Sequence, residues 1–315
     1  MTARTTPCRV AGLLVGMVLG WLQAAAADEP AQPPAESLTP AQQQARAAWQ
    51  AAAAALVAGP AEVALRDQAK LDLPAGLAFI PKHEAAALMH AMGNRTGDEF
   101  IGLIFPQADD KSWMVSVDYD AAGYIKDDDA KDWNADELLK NLRDGTQAAN
   151  EERSRIGVPP IKVTRWIEKP AYEAGEHHLV WSAEVKLRDG EDPDPTINYN
   201  TYVLGREGYI SMNLITPAST IDVDKPVAKK LLAAVTFQDG KRYGDFNSST
   251  DKVAAYGLAA LVAGVAAKKL GLLALAGVFI LKFAKLFALG AAAVGGGVWK
   301  WIKSRGGKDS AGTPA

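Results

Sequence analysis

The C-terminal end constrains this chain more than any other feature. From Val253 to Ile302 there is no acidic residue, and the apolar runs Val253 to Ala267, Leu270 to Leu281 and Leu286 to Trp299 are broken only by Lys268, Lys269, Lys282 and Lys285. A stretch this long and apolar is hard to cover with protein alone, so it predicts a membrane anchor over residues 251–302. A lysine at mid-bilayer costs on the order of 3 kcal/mol, which puts Lys282 and Lys285 at an interface or against protein. Two layouts satisfy this. A single span near residues 251–270 can end at Lys268 and Lys269 and continue as an amphipathic helix along the cytoplasmic surface, or two helices can form a hairpin. The basic and polar tail of residues 303–315 favours the first, because cationic flanks stay on the cytoplasmic side.

The other end reads as an export signal over residues 1–27. Arg4 and Arg9 precede a short apolar run from Val10 to Leu22, then Ala24 to Ala27, then the polar Asp28-Glu29-Pro30. That order of charged start, apolar middle and small-residue cleavage site is the signature of a secretory signal peptide. The one cysteine, Cys8, lies inside it, so the mature chain carries no thiol. Disulfides, cysteine nucleophiles and thiolate metal sites are thereby excluded. Together the two ends predict a protein of the bacterial inner membrane, its main domain on the periplasmic side and membrane lipid its partner through the anchor.

Charge is segregated along the chain. Residues 28–252 hold 24 basic against 36 acidic side chains, a balance of -12, whereas residues 253–315 stand at +7. A domain this acidic repels phosphate backbones, so nucleic acid is not an expected partner.

Residues 28–60 read as an Ala/Pro-rich leader and a helix, with Thr39-Pro40 and Gln42 as its start and Gly59-Pro60 as its stop. Its large apolar residues are few, which predicts weak packing. Over 61–250 the pattern is of strands and turns. Strands are expected at Leu77 to Ile80, Phe100 to Phe105, Trp113 to Tyr119, Ile161 to Ile167, His178 to Leu187, Ile197 to Leu204 and Tyr209 to Ile215. Helices are expected at Lys82 to Met92, from an Asn134 cap to about Ala149, and from Val223 to Val235. In Trp113 to Tyr119 the odd-numbered positions share one face, while Met114, Ser116 and Asp118 share the other. The short Gly205 to Gly208 connection implies an antiparallel hairpin. The fold class is therefore α+β, an antiparallel sheet with a few inserted helices, followed by the transmembrane segment.

Three separated stretches carry a resemblance. Gly123-Tyr124-Ile125-Lys126-Asp127-Asp128-Asp129-Ala130 is the first, and Asn198-Tyr199-Asn200-Thr201 running into Leu204-Gly205-Arg206-Glu207-Gly208 is the second. Gly240-Lys241-Arg242-Tyr243-Gly244-Asp245-Phe246 ahead of Ala255-Tyr256-Gly257-Leu258-Ala259 completes the set. Over roughly Val63 to Gly264 the chain resembles the uncharacterised, membrane-anchored bacterial proteins grouped as domain of unknown function family 2167. The resemblance implies an exported, membrane-anchored envelope protein and no assigned activity.

Two constellations are candidate sites. The acidic run Asp127, Asp128, Asp129 and Asp132, with Asp118 and Asp120 nearby in sequence, offers oxygens for a hard cation. The alternation and closing glutamate of a helix-loop-helix calcium loop are missing, however, because Lys131 and Leu138 occupy its fifth and twelfth positions. An acidic turn favouring the N-terminus of the helix that follows is the simpler reading. The second is a stripe: if Ile197, Tyr199, Thr201 and Val203 point inward, Asn198, Asn200 and Tyr202 point outward, with Arg206 close in sequence, and such a stripe suits a glycan or a peptide. The four histidines, His83, His90, His177 and His178, are spaced so that no pair makes a metal site by itself. No nucleophile elbow, phosphate-binding glycine loop or zinc-protease helix occurs in the domain. The sequence thus points to a non-enzymatic binding or interaction module for an envelope protein or cell-wall partner, without cofactor or metal. The alternatives are an Asp/His-dependent hydrolase and a self-assembling membrane unit.

Overall fold

The computed structural model describes residues 39–263, apart from Asp109 and Ile156. The expected signal peptide and all of the expected anchor beyond Ala263 lie outside the described residues. Among the described residues no helix is long and apolar enough to cross a membrane.

The chain opens with helix α1 (Pro40–Ala55), where Thr39 and Gln42 form the reciprocal cap that their spacing predicts. Short strands β1 (Val57–Ala58), β2 (Ala61–Leu65), β3 (Ala69–Leu73) and β4 (Leu77–Pro81) follow, then helix α2 (Lys82–Ala91). Strands β5 (Phe100–Pro106) and β6 (Met114–Asp120) lead to the long helix α3 (Ala135–Arg155). Four strands then run in succession: β7 (Ile161–Glu173), β8 (His178–Leu187), β9 (Thr196–Leu204) and β10 (Tyr209–Pro217). Helix α4 (Ile221–Ala233), strand β11 (Val235–Phe237) and the short helix α5 (Leu258–Ala263) complete the described fold.

The main sheet has eight strands in the order β1-β4-β5-β6-β10-β9-β8-β7, every neighbour antiparallel. Two meanders thus meet where β6 pairs with β10. The expected hairpin is the β9–β10 pair, with Leu204 opposite Tyr209. Gly208 permits the close crossing to β6, since a Cβ there would sit 1.9 Å from the Asp120 carbonyl oxygen. A second sheet, β11-β3-β2, also antiparallel, has no counterpart in the sequence reading. The two ends of the main sheet are blunted. Strand β1 is two exposed residues, and β7 is shifted in register three times against β8 and contains Pro170.

Both faces of the main sheet are covered. On one, Val115, Val117, Tyr119, Ile197, Tyr199, Val203, Ile210, Met212 and Leu214 pack with the small sheet and α4. The opposite face carries two separate apolar clusters. One joins Ala52 of α1 and Ala85, Leu88 and Met89 of α2 to Ile80, Phe100, Leu103, Phe105 and Met114. The other joins Leu138 of α3 and Leu258, Leu261 and Val262 of α5 to Ile161, Val163, Leu179, Trp181 and Val185.

Three differences from the sequence reading have physical causes. Helix α1 packs, because Ala48 and Ala52 are small enough to bring it close to its neighbours, and Trp49 meets Phe105 edge to face at 5.9 Å. Helix α3 runs on to Arg155, fixed by polar rather than apolar residues: buried Asn150 donates to the Ile161 carbonyl and accepts from its N–H, and Arg153 donates to the Pro159 carbonyl. The fold also continues past residue 250. Asp251 holds Arg206, Val253 bridges to Tyr124, and α5 is buried in the second cluster.

Candidate functional site

Between the two apolar clusters the covered face of the sheet is left open, and its floor there is polar. Alternation along β6 brings Ser116, Asp118 and Asp120 to that face, opposite to Val115, Val117 and Tyr119. Strand β10 adds Tyr209, Ser211 and Asn213, and β9 adds Asn198, Asn200 and Tyr202. The register aligns them in rows, Asp118 beside Ser211 beside Tyr202 and Ser116 beside Asn213 beside Asn200. These residues floor a cavity of about 270 Å³. One wall is Met89 of α2 with Arg95, Thr96 and Glu99 of the connection that follows; the other is Leu142 and Thr146 of α3 with Leu261 and Val262 of α5. Trp181 of β8 extends the floor with an aromatic surface.

The electrostatics of the floor are unusual for a sheet. Burial, with the Glu99 carboxylate adding to it, pushes Asp118 up to about 7, and a 3.3 Å hydrogen bond from the Ser116 hydroxyl offsets only part of this. Asp120 is also raised by burial, although the Tyr209 hydroxyl donates to it at 3.1 Å. Burial likewise drives the Tyr202 and Tyr209 hydroxyls well above the ordinary phenol range, so both remain donors at neutral pH. The cavity therefore offers one carboxyl near its ionisation midpoint, a second that burial raises, amides and hydroxyls on an apolar-walled floor. Raised carboxyls inside a cleft are a physical mark of a functional site.

A family model described as a protein of unknown function, DUF2167, matches residues 57–295. The chain belongs to this family. The DUF2167 match takes in every residue of the cavity and leaves out α1, which packs against α2 from outside it. No curated protein matches the chain. Among solved structures it is similar to the solution structure of cyanobacterial PsbP (CyanoP) from Synechocystis sp. PCC 6803, at 11% identity and a TM-score of 0.34, over 58% of this chain and 91% of that one. It is also similar to the protein of unknown function PA94 from Pseudomonas aeruginosa, at 12% identity and a TM-score of 0.21, over 54% of this chain and 91% of that one. At these scores neither likeness carries an argument.

The residues singled out from sequence fall in three places in this DUF2167 chain. Asn198, Asn200 and Tyr202 share one side of β9 and lie on the cavity floor, with Ile197, Tyr199, Thr201 and Val203 buried on the other side. Arg206 does not join them: it lies in the β9–β10 turn, gripped by both Asp251 oxygens at 2.7 and 2.8 Å. That contact holds the Asp251 carboxyl well below the usual range. The acidic run does not converge. Asp127 accepts from the Tyr172 hydroxyl at 2.8 Å, Asp128 and Asp132 are exposed, and Asp129 accepts from the Leu258 and Ala259 N–H groups at 3.1 and 3.0 Å. Asp129 thus caps α5 rather than the helix that follows it in sequence. Among the described residues no group of acids and histidines is placed to hold a metal ion.

The histidines likewise stay out of the cavity floor. His177, in a left-handed turn at φ 54, lies 3.1 Å from the Tyr172 hydroxyl and against the Tyr243 ring at 4.1 Å. Tyr124 stacks between Tyr243 and Phe246, so the first and third motifs of the family meet as one aromatic packing unit. The cavity residues that sequence reading passed over are Ser116, Ser211 and Asn213, while Asp118 and Asp120, noted there only beside the acidic run, lie on this floor instead. Their one legible signal is a polar residue at alternate positions of an otherwise apolar strand.

Proposed function

We propose that this protein is a membrane-tethered envelope binding protein whose sheet cavity receives a small polar ligand on the periplasmic side. One observation carries the reading: polar residues from three adjacent strands, β6, β10 and β9, converge on the floor of a single apolar-walled cavity. Hydroxyls and amides at that density, beside the Trp181 ring, match the hydrogen-bonding edges and flat faces of a sugar or of a short peptide. The export signal and the acid-free C-terminal stretch of the sequence support the tether and the side of the membrane.

Two measurements test this. Full-length protein in detergent is equilibrated with cell-wall muropeptides and oligosaccharides, and bound species are read by native mass spectrometry. A bound fragment whose retention falls at least tenfold in Asn200→Leu supports the reading; equal retention in the variant sinks it. For placement, Ser248→Cys adds an exposed thiol to a mature chain that has none. Labelling by a membrane-impermeant maleimide in cells with a permeabilised outer membrane is expected, and protection until the inner membrane is lysed would reverse the topology.

A hydrolytic reading has one observation in its favour, an Asp118 carboxyl poised near neutrality where a general acid is useful. It predicts turnover of the bound fragment, which the same spectra report as product masses.

A further inference from the structure

We infer that the cavity is built for a ligand carrying a protonated amine next to a hydroxyl or carbonyl oxygen, with Asp118 as the counter-ion of the amine. The inference rests on the cavity being a ligand site and names the chemistry that site selects. Glu99, Asp118 and Asp120 reach one cavity, from the connection after α2 and from alternate positions of β6. Among the described residues none of the three makes an ion pair, although Arg95 shares the rim. Arg66 and Lys252 act on them only through longer-range attraction. An anionic ligand would add to this uncompensated charge, and a neutral one would leave it as it stands.

The amides give a second, independent indication. Asn198 is 8% exposed and faces the cavity. Its Oδ1 accepts from Asn213 at 3.4 Å, but its own N–H groups donate to no described atom, and the buried Oδ1 of Asn213 accepts from none. Buried polar groups in native proteins are nearly always paired, so this floor lacks a donor for Asn213 Oδ1, while the Asn198 N–H groups stand open to an acceptor on a ligand. An ammonium brings three donors and no acceptor, which suits Asp118 and Asn213 Oδ1; a neighbouring oxygen then answers the Asn198 amide. Apolar Leu261 and Val262 on the wall are left for the carbon skeleton. Small amino alcohols and amino sugars have this combination.

The test uses matched pairs that differ by one group: glucosamine against glucose, and ethanolamine against ethylene glycol. Full-length protein in detergent at pH 7.5 is titrated with each and binding is read by ligand-observed NMR. Each amine is expected to bind at least tenfold more tightly than its hydroxyl partner. Asp118→Asn should abolish that difference, and Glu99→Gln, on the rim, should reduce it. Equal binding within pairs, or an amine preference that survives Asp118→Asn, overturns the inference and leaves the cavity reading in place. If no member of either pair binds, while cell-wall fragments bind in the spectrometric assay, the amine inference alone falls; if those fail too, both readings fall.

Discussion

At the scale of single residues, Asp118 makes the sharpest prediction. Its carboxyl is raised from the ordinary aspartate value to about 7 in the folded protein. Between about pH 4 and pH 7 the unfolded chain releases that proton while the folded chain keeps it, so stability falls as pH rises through this window and levels off above it. Asp118→Asn removes the titration without changing the shape of the side chain. It is expected to raise stability at pH 8 by an amount on the order of 3 kcal/mol and to leave it unchanged near pH 4, as thermal melts at the two pH values will report. A variant equally stabilised at both would show that the effect is not one of ionisation. Such a stabilising change at a cavity floor is also what a group kept for function looks like, because binding residues are selected against a cost in stability.

At the scale of elements, helix α3 is held to β7 by amide chemistry. Asn150 answers both the N–H and the carbonyl of Ile161 in a buried setting, so Asn150→Ala leaves two backbone groups unpaired. A loss of about 2 kcal/mol in denaturant unfolding is expected. Helix α5 depends in the same way on Asp129, and Gly257 gives that carboxylate room, since a Cβ there would lie 2.5 Å from it. Asp129→Ala should cost about 1 kcal/mol and speed amide exchange across residues 258–263 while sparing β9 and β10. The elements themselves were largely legible. Strands β6, β8, β9 and β10 follow from alternation, β5 from its continuous apolar run and α1 from its capping pair, because these signals are local. The small sheet was not, although β3 alternates Ala69, Leu71 and Leu73 with Lys70 and Asp72, because its strands are short and β3 finds one partner in the sequence-distant β11. Nor was the partner of Asp129, which lies 129 residues away. The stripe on β9 was legible as a stripe; that α2 on one side and α3 with α5 on the other would wall it into a cavity depends on packing that no strand pattern encodes.

At the scale of the whole molecule, the compact fold and the acid-free C-terminal stretch share residues, because α5 belongs to both. A chain ending at Ser249 would lose Asp251, the Tyr124 to Val253 bridge and the Leu258, Leu261 and Val262 packing. Such a chain is expected to melt lower and to bind a hydrophobic dye, whereas one ending after Ala263 should behave as the intact fold does; identical melting of the two would show that α5 adds nothing. The blunted ends of the main sheet act at a larger scale still. An antiparallel sheet with a free, regular edge recruits the edge of its neighbour, and the danger grows when many copies are confined to a plane. Here one border is too short to template anything, and the other is stepped, interrupted by a proline and studded with Lys162, Arg165, Lys169 and Glu173. Copies crowded side by side can therefore collide often without fusing into a continuous ribbon, which leaves side-chain surfaces to govern any lasting association between them.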